Sequence, residues 1–124
     1  MHTNETKEAT QLCLRVGGRS FTVELAETAA AHELARRMPL ALRMVDLNAN
    51  EKYGELAQGL PTQAGPVGSI RTGDLMLFTP TCLVLFYKDF RTPYHYTRVG
   101  RVREAAALPT ALGRGSVEIE LDMP

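Results

Sequence analysis

The chain has 124 residues, a length at which a single domain buries roughly two thirds of the surface its unfolded form exposes, so no disulfide or metal is needed for a core. Lys plus Arg number 14 and Asp plus Glu number 14, giving zero formal net charge. No basic run or RNA-binding signature is present, which speaks against nucleic acid as a partner, and no apolar run is long enough to cross a bilayer as a helix, which speaks against a membrane. Arg98, Arg101 and Arg103 are read as a solvated strand face rather than a basic patch.

The first ten residues are polar and lack the apolar stretch of a signal peptide. They are expected to be a mobile tail ahead of one domain over residues 11–122, in a cytoplasmic protein. From Gln11 the pattern is that of strands. Leu12, Leu14 and Val16 alternate with Cys13 and Arg15, Gly17-Gly18 supplies a two-residue turn, and Phe21, Val23 and Leu25 alternate again. Thr28 is placed to cap a helix through AAAHELARRM, with Ala30, Leu34 and Met38 on one face and Pro39 as its stop. Leu40, Leu42 and Met44 resume period-two spacing.

The stretch 47–69 reads as irregular and rich in Gly, Pro and Asn, and so long a connection in a compact domain is often functional. LMLF after Gly73-Asp74 and LVLFY after Thr79-Pro80-Thr81 are apolar without alternation, as in strands covered on both faces. A further strand is expected from Tyr94 to Val102. A short helix follows from Ala105 to Leu112, interrupted at Pro109 and ended by Gly113. In SVEIELD, Val117, Ile119 and Leu121 turn inward. Seven or eight strands and two short helices predict a mainly β fold: a closed antiparallel β-barrel of about eight strands, with an open sandwich as the alternative. The terminal strands each have an apolar face suited to pairing with one another or with a shared neighbour.

Three segments, MVDLNANEKYGEL, GDLMLF and LVLFYKDFRTPYHYTRVGRV, together resemble a group of small, mostly uncharacterised bacterial proteins with a cyclophilin-like fold, over essentially residues 11 to 122. The resemblance implies a closed barrel flanked by helices. Authentic cyclophilins are prolyl isomerases that set an arginine beside the prolyl nitrogen above an apolar pocket. Their strand motif of Phe, Met, a variable residue, Gln and two glycines is absent here, as is any tryptophan.

Six of the eight aromatic residues lie between Phe78 and Tyr96. Phe78 and Phe86 are expected in the core. Tyr94 and Tyr96 flank a loop, and tyrosines there serve as a pocket wall with an apolar body and a wet hydroxyl. The leading reading is therefore a barrel that binds a small molecule or extended peptide in a groove lined by Tyr53, Phe86, Phe90, Tyr94 and Tyr96, with Glu51 or Arg98 fixing orientation.

The alternative is a prolyl isomerase with a rearranged arginine, drawn from Arg43, Arg71, Arg91 and Arg98. A hydrogen bond to the prolyl nitrogen, strongest when the amide is twisted, would favour the transition state. A third reading is an assembly module whose aromatic face makes a homo-oligomer. Glu51 and Glu55 become a carboxylate pair only if the chain brings them together. His2, His32 and His95 have no metal-binding spacing, Cys13 and Cys82 read as separate thiols, and no nucleophile elbow or phosphate loop is present. No cofactor and no metal are expected.

Overall fold

The computed structural model describes residues 9–124; most of the tail expected over residues 1–10, with His2, lies outside the described residues. Strands β1 (Gln11–Val16) and β2 (Arg19–Leu25) form the predicted hairpin. Val16 pairs with Arg19 across Gly17-Gly18, whose φ values of 58° and 75° are those a two-residue turn demands. Helix α1 (Ala29–Arg36) starts at Thr28, whose Oγ1 accepts from the Ala31 amide at 3.1 Å and donates to the Arg98 carbonyl at 2.8 Å. Ala30, Ala31 and Leu34 are its buried face, while Met38 packs on the core from beyond the helix end.

Strands β3 (Leu40–Leu47) and β4 (Glu51–Glu55) form a second hairpin. The next 18 residues, 56–73, cross the outside of the fold and carry only β5 (Gly65–Pro66) and β6 (Ser69–Ile70). Strands β7 (Asp74–Thr79) and β8 (Cys82–Phe86) pair through the Pro80-Thr81 turn. Then come β9 (Phe90–Arg91), β10 (His95–Val102), a single 3-10 turn at Ala105–Ala107, α2 (Leu108–Leu112) and β11 (Val117–Asp122). Pro109 does not interrupt α2: it lies in the first turn, where its missing N–H leaves no helical bond unmade.

Among the described residues, eight strands run in the order β2-β1-β11-β3-β4-β8-β7-β10, and β10 pairs back to β2. Every pairing is antiparallel, so this is the closed barrel expected, and β1 does pair with β11. Its interior is filled by Leu12, Leu14, Val23, Met44, Leu75, Leu77, Leu83, Leu85, Ile119 and Leu121, with α1 and α2 contributing Leu34, Leu108 and Leu112.

One strand was hidden in the sequence. β4 falls within the stretch read as irregular because its inward positions are Lys52 and Gly54 rather than apolar residues. Lys52 is fully buried, opposite Asp46 in the β3–β4 ladder. Its Nζ donates to the carbonyls of Gly113 and Gly115 at 2.8 and 2.7 Å and lies 3.1 Å from Asp46 Oδ1, which also accepts from the Tyr87 hydroxyl. A buried ammonium is tolerable only with such partners. The β3–β4 turn has no glycine; Asn48 and Ala49 take the positive φ values themselves, with Asp46 Oδ2 accepting from the Ala49 amide at 3.1 Å.

Candidate functional site

Strands β7 and β8 are buried on both faces. Alternation sends Leu75, Leu77, Leu83 and Leu85 into the barrel and Met76, Val84 and Phe86 outward, where they join Ile70 and Tyr96 in a second apolar cluster. The crossing segment adds Ile70 and Val67 to that cluster, while its earlier Leu56 and Leu60 pack into the barrel interior. Leu56 and Leu60 donate their amides to the Thr81 and Pro80 carbonyls, and the Gln63 amide reaches Thr97 Oγ1 at 2.9 Å. Arg37 holds the segment from α1, with both terminal nitrogens 2.8 Å from the carbonyls of Gln58 and Gly59.

The outer face opens into a groove of about 450 Å³. Its wall contains Tyr53, Phe78, Val84, Phe90, Tyr94 and Tyr96, and its polar residues include Asn50, Glu51, Cys82 and Thr92. Three of the five large apolar side chains exposed among the described residues, Leu47, Phe78 and Tyr94, line it. The rings are mutually braced: Phe78 meets Tyr94 edge-on at 6.0 Å and Tyr96 at 5.6 Å, while Phe86 meets Phe90 at 5.7 Å and Tyr96 at 5.5 Å.

Of the residues singled out in the sequence, the groove gathers Glu51, Tyr53, Phe90, Tyr94 and Tyr96. Phe86 is fully buried beneath the wall, where it supports Phe90 and Tyr96. Arg98 is elsewhere, lining shallow clefts with Thr28 and with Asp74. Glu51 and Glu55 do not pair, since four residues of strand separate them by roughly 13 Å; Glu55 instead accepts from Thr81 Oγ1 at 2.8 Å.

Phe78 is a correction. It was expected in the core but is 49% exposed, because alternation places it with Met76 on the outward face of β7, at the strand end where the register with β8 shifts. Leu47, Asn48, Asn50, Cys82, Val84 and Thr92 also line the groove without having been anticipated. The polar tip of the β3–β4 hairpin was the signal available for Asn48 and Asn50.

Burial raises the pKa of Glu51, with the nearby Asp46 charge adding to it. The Cys82 thiol is pushed up by burial and then by Glu55 and Glu51, and Tyr96 is pushed up by burial and then by Glu51. A half-buried thiol held protonated is a poor nucleophile. Among the described residues no cluster of three or more His, Cys, Asp or Glu could hold a metal, and no helix is long and apolar enough to cross a membrane.

A family model described as the Cyclophilin-like family matches residues 14–122. The chain belongs to the Cyclophilin-like family. This cyclophilin-like domain is also similar to a solved structure, the hypothetical protein AF2241 from Archaeoglobus fulgidus, with a TM-score of 0.64 and 15% identity over 98% of this chain and 100% of that one. At that identity the likeness speaks for the fold alone. No curated protein matches the sequence.

Proposed function

We propose that this cyclophilin-like domain is a binding module that takes the apolar portion of a small molecule or extended peptide into the groove between the β3–β4 tip and the Phe90–Tyr96 segment. The observation that carries the reading is the exposure of Leu47, Phe78 and Tyr94 around one concavity, beside braced aromatic walls. Exposed apolar side chains that converge on a concave site mark binding surfaces more often than scattered ones do. The volume, about 450 Å³, falls in the range of small-ligand pockets. The free thiols of Cys13 and Cys82 support a reducing, cytoplasmic setting.

The prolyl isomerase reading is less well supported. None of Arg43, Arg71, Arg91 and Arg98 lines the groove, whose ionisable carboxyl is Glu51. Self-association through the same face remains the competing use of the exposed rings, and Val45, exposed and paired with Tyr53, would extend that face.

The test is NMR of the ¹⁵N-labelled protein against a panel of aromatic fragments and proline-containing peptides, with cis–trans exchange recorded in the same samples. The proposal expects saturable shifts at residues 47–53, 78–84 and 90–96 without faster exchange. Accelerated exchange abolished by one arginine substitution would reinstate the isomerase. Shifts at these residues that depend only on protein concentration would assign the face to a second copy. Silence throughout would sink the binding module.

A further inference from the structure

The single carboxyl among the groove's lining residues has no cationic residue beside it in that lining. Glu51 lies half-buried in the wall, and its carboxylate makes no hydrogen bond or ion pair among the described residues. Its neighbour Asn50 has a side-chain oxygen, Oδ1, that is buried and has no hydrogen-bond partner. No lysine, arginine or histidine lines the groove. The adjacent Lys52 points the other way, into the barrel, where its ammonium is held by Gly113, Gly115 and Asp46. One carboxylate without a cation therefore shares a concavity with aromatic rings and with neutral hydroxyl, amide and thiol groups.

Aromatic faces carry negative quadrupolar charge and attract cations; acceptors left unpaired favour N–H donors. We infer that the groove selects an organic ammonium: a ligand with an apolar or aromatic body and a protonated amine that reaches the Glu51 carboxylate, with the buried Asn50 Oδ1 adding negative potential behind it. This rests on the binding-module reading and adds the charge of the ligand to it. The field inside the groove agrees, since the Glu51 charge pushes up the pKa of both Cys82 and Tyr96. An anionic ligand would meet the same carboxylate as a like charge at short range and would be rejected.

The experiment compares three probes of one shape on the whole protein by NMR titration at neutral pH: phenethylammonium, 2-phenylethanol and phenylacetate. The ammonium should shift Asn50, Glu51, Tyr94 and Tyr96 and bind roughly tenfold more tightly than the alcohol, with phenylacetate weakest. Glu51→Gln should remove most of that preference while leaving the alcohol's affinity in place.

Equal affinities for ammonium and alcohol, or a preference for phenylacetate, would overturn the inference while leaving the groove a binding site. If none of the three shifts these residues, the binding module falls and the inference with it. The wild-type comparison stands even if the variant does not fold. A blocked Phe–Lys–Phe peptide, titrated beside its Phe–norleucine–Phe analogue, distinguishes the sources: a Lys preference exceeding that of the free amine assigns the ammonium to a peptide side chain, and the reverse assigns it to a small amine.

Discussion

Lys52 and Asp46 face each other across the β3–β4 ladder with Nζ 3.1 Å from Oδ1, and this pair ties the hairpin under the groove to the segment that follows α2. Tyr87 completes the contact, its hydroxyl donating to the same Asp46 oxygen and its ring 5.3 Å from the ammonium. The arrangement joins three segments distant in sequence through one fully buried charge.

Removing that charge alone should be costly. Lys52→Met leaves Asp46 without its cation and two carbonyls without their donor, and a loss of about 3 kcal/mol is expected from urea unfolding. The double variant D46N/K52M should lose less than the sum of the singles, because the two groups answer each other.

Tyr87 predicts an alkaline limit. Burial, reinforced by the Asp46 hydrogen bond and charge, raises its pKa from 10.0 to about 12. A group whose folded pKa is raised stabilises the fold while protonated and loses that contribution as pH rises through the folded value. The Tyr87 contribution is therefore full below pH 10 and disappears between 10 and about 12. Ultraviolet titration of tyrosinate should show a late step near pH 12 in the wild type that Tyr87→Phe abolishes. The unfolding midpoint of the variant should fall less steeply over the same window.

Glu51 predicts a conflict between stability and binding. Its raised pKa means that folding favours the protonated carboxyl, a contribution present below the ordinary value of 4.5 and lost as pH rises through the folded value. Glu51→Gln should therefore melt higher than wild type at neutral pH, and the gap should close as the pH falls below 4.5. Asp46, held below its ordinary value of 3.8 first by the Tyr87 hydroxyl, acts in the opposite sense and over a lower window. A Glu51→Gln midpoint below that of wild type at neutral pH would show that the carboxylate has a stabilising partner instead.

The aromatic wall separates into support and surface. Phe86→Ala, at a fully buried position, should cost roughly 4 kcal/mol. Phe78→Ala and Tyr94→Ala, at exposed positions, should each cost less than about 1 kcal/mol and yet weaken aromatic probes in the groove. Thermal unfolding beside NMR titration measures both quantities, and a large stability loss at Phe78 would return that ring to the core.

Most of the barrel was legible because its inward positions are apolar at period two: Leu12, Leu14 and Val16, then Val117, Ile119 and Leu121, fall where alternation puts them. β4 was not, since a strand that sends Lys52 and Gly54 inward has no such pattern, and its turn through Asn48 and Ala49 lacks the expected glycine. The site was read in part for a similar reason. Clustered tyrosines mark the groove, but LMLF and LVLFY are apolar at every position that would fix which side faces out, so the expectation of Phe78 in the core fails and Phe86, expected both in the core and in the groove, proves to lie wholly beneath the wall. Arg98 follows Tyr96 on the same strand face, yet the groove ends at Tyr96.

The double burial of β7 and β8 has a consequence for how such a domain changes over time. Each strand contributes alternate residues to two separate apolar clusters, one sealing the barrel and one lying beneath the groove. A change of shape at Met76 or Val84 is thus felt first in the cluster beneath the groove, while Leu75, Leu77, Leu83 and Leu85 keep the interior filled. The two faces of one wall thus answer to separate packing constraints, so that a revision of the outer face need not be a revision of the inner one.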